Sequence, residues 1–216
     1  MEGAHLMNRP ARNERHALCD LFLKVGPDAP TLCAGWTTRD LAAHLVVRET
    51  RPDAAGGILI RRLAPYGDRV RDKVARTDWI TLVDRVRNGP PRLSPMRIPA
   101  LDDLTNTLEF FVHHEDVRRA QAVRETRVIE PALEDALFGA LTRGARLMGR
   151  SSPCGLTMTP TGGIGFVVRK GSPTVDVSGP VSELVLFIYG RTSVADVEFA
   201  GPPDSVDAVR AATFGI

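Results

Sequence analysis

Glu109-Phe110-Phe111-Val112-His113-His114-Glu115-Asp116 lies inside an apolar-periodic run from Leu101 to Gln121 and decides how the first half of the chain is read. Residues four apart on a helix stack on one face, so Glu109 and His113 point the same way. Asp116, seven after Glu109, joins that face, and His114 sits well off it. On a helical wheel the three fall beside the stripe formed by Leu101, Leu104, Leu108, Phe111 and Val112. A carboxylate and an imidazole half-buried together need partners. A plain hydrogen-bonded pair meets that need, and so does a metal ion.

A second helix adds a third residue of the same kind. Thr37 starts it as an N-cap with Asp40 three residues on, a capping-box pattern. His44 then falls between Leu41, Leu45 and Val47, on the inward side. His44, Glu109 and His113 thus face the interior of one predicted bundle, and facing helices commonly build metal sites this way. Two histidines and one carboxylate leave a coordination position open, as catalytic sites do. The same set suits non-haem iron. Asp116 and Asp40 are placed to accept from imidazole N–H groups outside the ligand set. For Asp40, capping alone is an equal alternative.

Further out, the pattern gives a helix over 8–25 that Gly26-Pro27 stops. A short helix lies within an irregular 52–78 segment, another helix covers 78–86, and a Pro-rich loop covers 89–99. Residues 130–148 form a last long helix, so the first part is a bundle of about four main helices. Composition changes near Ser151. Residues 155–159, 164–169 and 174–178 are short, β-branched and separated by Pro/Gly turns, and they read as strands. Gly162-Gly163 is most simply a hairpin turn. Pro180 opens a helix over 181–189, followed by a strand over 194–199 and a helix over 204–212. The expected fold is α+β, with a metal-binding four-helix bundle over 1–150 and a small α/β domain over 151–216.

Trp36-Thr37-x-x-Asp40-Leu41-x-x-His44-Leu45, with Glu109-x-x-x-His113-x-x-Asp116 following, resembles the DinB/YfiT-like superfamily. More closely it resembles the mycothiol-dependent maleylpyruvate isomerase group of actinobacterial proteins. Those join a metal-binding four-helix bundle to a small α/β domain similar to sterol carrier proteins. The stretch from Ser178 to Tyr189-Gly190-Arg191 resembles the Gly-Arg-ending helix of that second domain. The resemblance implies that His44, Glu109 and His113 are metal ligands, usually for zinc, and that a thiol cofactor, mycothiol, takes the open metal position. A thiolate held there can add to an activated double bond, allow rotation and leave, or attack an electrophilic carbon. Arg48 and Arg51, one and two turns beyond His44, suit a substrate carboxylate, as does Arg191 from the second domain. The plain alternative for each is a solvated surface charge. The Arg-rich segment 61–76 and the Pro-rich loop match nothing in the isomerase.

Composition narrows the field further. Hydrophobic residues are 43% and charged residues 25%, ordinary values for a globular chain. Basic and acidic residues nearly balance, 28 against 26, and aromatics are only 6%. A nucleic-acid binder shows a basic stripe with stacking aromatics, so nucleic acid is not an expected partner. No apolar run approaches the roughly 20 residues of a membrane helix, and Met1–Arg15 is not a signal peptide. Cys19, Cys33 and Cys154 are odd in number and form no CxxC pair, which suits a reduced, cytoplasmic compartment. Cys33 has no histidine near it in sequence to activate it and reads as a buried thiol.

Three functions fit. The first is a zinc-dependent thiol transferase or isomerase acting on a small acidic or electrophilic substrate, as a monomer or homodimer. The second is a non-catalytic metal-binding protein for stress response or sequestration. The third is a lipid-like carrier, for which the second domain is short.

Overall fold

The computed structural model describes residues 9–51, 64–90, 99–123 and 127–215, apart from the side chains of 64 and 99–105. The chain divides into two compact units, Met1–Arg127 and Val128–Ile216. The boundary lies upstream of the expected residue 150, because the helix over 131–148 packs with the elements that follow it. Residues 52–63 and 91–98, which hold part of the Arg-rich segment and most of the Pro-rich loop, lie outside the described residues.

The first unit is helical: α1 (Pro10–Val25), α2 (Thr38–Thr50), α3 (Ala64–Ala75), α4 (Trp79–Asn88) and α5 (Pro99–Arg119). Their ends follow from local chemistry. Pro10 sits in the first turn of α1, where its missing N–H costs nothing. Gly26 ends that helix at φ +85° with its N–H on the carbonyl of Phe22. Thr37 and Asp40 form the expected capping box at α2, both partners engaged. Asp78 caps α4 through the N–H of Thr81 at 3.0 Å.

Apolar faces then fix the packing. α1 lies along α5 and against α4, and α2 packs on α3 and α4. One core is filled by Leu18 and Phe22 of α1, Leu41 and Leu45 of α2, Leu82 and Val86 of α4, and Phe110 and Val117 of α5. α2 is buried on most sides, since Leu41, Ala42, Ala43, Leu45, Val46 and Val47 are all inside. Its polar residues His44 and Arg48 therefore have to find partners within the unit.

The second unit holds α6 (Pro131–Met148), a mixed sheet, α7 (Val181–Ile188) and α8 (Pro203–Ala211). The strands are β1 (Gly155–Pro160), β2 (Phe166–Arg169), β3 (Thr174–Gly179) and β4 (Glu198–Ala200), in the order β2-β1-β3-β4. β1 pairs antiparallel with β2 across the Gly162-Gly163 turn and parallel with β3, and β3 pairs antiparallel with β4. Leu156 stands opposite Val175 and Met158 opposite Val177, so one face of the sheet is apolar, and all four are buried. Beyond its first turn α7 is apolar all round, as a core helix is, with Leu184 through Ile188 fully inside. The whole is α+β. The last strand is shorter than the expected 194–199, because Val194 and Ala195 bond back to Arg191 instead of entering the sheet.

Candidate metal centre

α2 and α5 bring His44, Glu109 and His113 together. Oε1 of Glu109 lies 3.4 Å from Nε2 of His44 and 3.3 Å from Nε2 of His113. All three ligand atoms fall within 4.8 Å of one another. Those two edges are long for N–H···O hydrogen bonds. They match the edge of about 3.3 Å expected when nitrogen and oxygen sit roughly 2.0–2.1 Å from a tetrahedral ion. The donor set therefore fits a divalent metal. The imidazoles of His44 and His113 meet edge to face, centroids 5.5 Å apart at 76°. Trp36 covers His44 at 5.1 Å, and the guanidinium of Arg71 lies over Trp36 at 4.8 Å. The side chains of His44 and Glu109 keep 16% and 20% exposure, so the cluster is recessed but reachable.

Around it the partners are specific. Nδ1 of His113 meets Oδ2 of the fully buried Asp116 at 2.9 Å. A carboxylate on one ring nitrogen fixes the tautomer and leaves the other nitrogen as a lone-pair donor. Asp116 thus fills the orienting role its spacing suggests. Asp40 does not: its carboxylate accepts from the N–H and hydroxyl of Thr37, the capping alternative. Arg48 lies against Glu109, Nε to Oε1 at 3.3 Å, and donates to Oδ1 of Asn106. Asn106 in turn reaches Glu49, which the buried Arg15 of α1 grips with two hydrogen bonds.

These contacts set the charge states. Burial opposes ionisation of Glu109, but the two imidazoles and Arg48 hold its carboxyl well below the usual range. Burial also opposes charge on His113, while Asp116, Cys33 and Glu109 hold its pKa well above the ordinary value. His44 goes the other way: burial lowers its pKa, against the pull of Glu109.

Of the candidate arginines, Arg48 is at the cluster. Arg51 instead donates to the hydroxyl of Tyr66 at 2.9 Å. Arg191 belongs to the second unit and donates to the carbonyl of Tyr189 at 2.6 Å. Two contributors escaped the sequence reading. Asn106 shares the face of Glu109, His113 and Asp116 by the same helical spacing, a signal that was there to be used. Cys33 comes from a loop 80 residues from His113, yet its sulfur lies 3.2 Å from Oδ2 of Asp116 and 4.0 Å from Nδ1 of His113. Nothing in local sequence announces that contact. His114, which points off the ligand face as expected, pairs with Glu14 of α1 at 3.1 Å.

No family model and no curated protein sequence matches the chain. Solved structures do. A crystal structure of the mycothiol-dependent maleylpyruvate isomerase superposes with a TM-score of 0.54 at 18% identity, covering 88% of this chain and 90% of the other. A histidine-to-alanine mutant of that enzyme gives 0.55 at 17% identity over the same shares. The chain has the fold of the mycothiol-dependent maleylpyruvate isomerase. At this identity the likeness to the isomerase is one of architecture, and the chemistry of the present chain rests on its own residues.

Proposed function

We propose that the protein binds one divalent metal ion, zinc by preference, through Nε2 of His44, Oε1 of Glu109 and Nε2 of His113, and that it is a thiol-dependent transferase or isomerase of small electrophilic substrates. The observation that carries this reading is the pair of 3.3 and 3.4 Å edges meeting at one oxygen of Glu109. Such an ion, when bound, would stabilise a thiolate at neutral pH and polarise an electrophile.

The rest falls to the chain. Asp116 holds the Nδ1 proton of His113 and keeps Nε2 directed at the ligand set. Trp36 walls His44 and limits water on that side. Arg48, already beside Glu109, is the cation best placed to hold a substrate carboxylate, with Asn106 fixing its fork. Arg51 is retained as a further anion contact of the helical unit, and Arg191 as an anion contact of the second unit by itself. A low-molecular-weight thiol of the mycothiol type suits the three-ligand set, because it leaves a fourth position for sulfur. The fold shared with the isomerase supports that choice of cofactor.

Metal content of untagged protein tests the proposal first, with His113→Ala alongside. About one zinc per chain, absent from the variant, is the expected result. Cobalt-loaded protein should then gain a thiolate charge-transfer band when a small thiol is added. A wild-type chain that takes up no zinc sinks the metal site. A metal-loaded chain blind to thiol leaves the sequestration reading in its place.

A further inference from the structure

The cysteine loop before α2 comes to Nδ1 of His113, whereas Glu109 meets the other ring nitrogen, Nε2. Thr31 pins it: the hydroxyl accepts from the N–H of Cys33 at 3.2 Å and donates to the carbonyl of Trp36 at 2.9 Å. The N–H of Trp36 closes the turn on the carbonyl of Cys33 at 2.9 Å. The N–H of Leu32 then ties the loop to α5 through the carbonyl of Asp116 at 3.0 Å. The result is a thiol held 3.2 Å from Oδ2 of Asp116, the same oxygen that meets Nδ1 of His113 at 2.9 Å.

We infer that Cys33 is a positioning residue of the metal centre, its thiol donating to Oδ2 of Asp116 so that this carboxylate holds the ring of His113 with Nε2 toward Glu109. The inference rests on the proposed metal site and extends it by one residue. A carboxylate with no exposure needs hydrogen-bond donors around it. Hydrogen bonds to charged acceptors are the strong ones, so even a weak thiol donor gains strength here. The thiol is one of the groups that hold this carboxylate in the rotamer that meets the ring. The contact runs through Asp116, so it predicts an effect on His113 with no direct contact to the metal.

Zinc affinity by chelator competition on the full chain tests this, with Cys33→Val and Cys33→Ser. Val fills the space without a donor, and Ser restores one. Cys33→Val should weaken zinc about tenfold, the low end of the effect of partners that orient a ligand, and Ser should recover most of the loss. In an Asp116→Asn background, Cys33→Val should change nothing further, which a purely structural role would not produce. Metal-free protein gives an independent readout: the Nδ1 proton of His113, seen by proton–nitrogen correlation, should be slow to exchange in the wild type and fast in Cys33→Val. Unchanged zinc affinity together with an unchanged proton signal overturns the role of Cys33. A changed proton signal in a chain that takes up no zinc upholds the positioning contact and overturns the metal site alone.

Discussion

Glu109 carries the greatest burden in the cluster, because one oxygen serves both imidazoles and Arg48. Glu109→Gln keeps the shape and removes the charge. Two nitrogen donors alone hold a divalent ion poorly, so zinc affinity should fall by at least about 100-fold, more than loss of a partner outside the ligand set. Chelator competition reads this directly, and an affinity within tenfold of wild type would mean the carboxylate is no ligand. Of the thiols, Cys19 is the one sealed in the core. Burial pushes the thiol of Cys19 up to about 12, and only the thiolate reacts. Iodoacetamide near neutral pH should leave Cys19 intact in the native protein and modify it in urea, as peptide mass spectrometry would show. Native labelling of Cys19 at the rate seen in urea would mean that α1 opens readily from the core.

Among the elements, α1 is tied to its neighbours by buried charge as well as by its apolar face. Arg15 grips Glu49 of α2, donates to the carbonyl of Val86 in α4 and lies 4.2 Å over the ring of Phe110 in α5. Removing one partner strands the other charge, so Glu49→Ala should cost about 3–5 kcal/mol in urea unfolding; a loss under 1 kcal/mol would show that water reaches Arg15. The preceding residue, Glu14, meets His114 and Arg127. Burial raises its pKa, but those two partners outweigh burial and the net shift is downward. The folded value lies below the unfolded one, so Glu14 contributes stability that is whole above the ordinary carboxylate range. That stability drains away as pH falls through the folded value. Glu14→Gln should therefore be less stable near neutral pH and lose less on acidification, a flatter melting-temperature profile than wild type. Parallel profiles would remove Glu14 from the acid response. Much of this level was legible in sequence. The 3.6-residue period, the capping box at Thr37 and the Gly26 stop are local signals, and each element they mark is present. The boundary of the helical unit was not legible. A helix over 131–148 has the same periodicity whichever unit it packs with, so only tertiary contact assigns it. Cys33 was hidden for the same reason, since a contact across 80 residues leaves no spacing to read.

At the scale of the whole molecule, the two units differ in what holds them. The first buries ions: Arg15 with Glu49, Glu14 with Arg127, and the His44, Glu109 and His113 set. The second closes an apolar core of Leu156, Met158, Val175, Val177 and α7, with Phe187 against Phe199 and Phe214. All three proposed ligands sit on α2 and α5, so a bound ion links only those helices thermodynamically. Ligand present at about 100 times its dissociation constant stabilises the state that binds it by about 2.7 kcal/mol. That gain appears where opening breaks the site. Hydrogen exchange on the intact chain, with and without zinc, should therefore show slower exchange in peptides covering 38–50 and 106–117. Peptides covering 155–160 and 181–188 should keep their rates, because opening that core leaves the ligands in place. Equal protection throughout the chain would show that both units open as one cooperative body, and that metal bound by α2 and α5 stabilises the sheet as much as the helices that hold it.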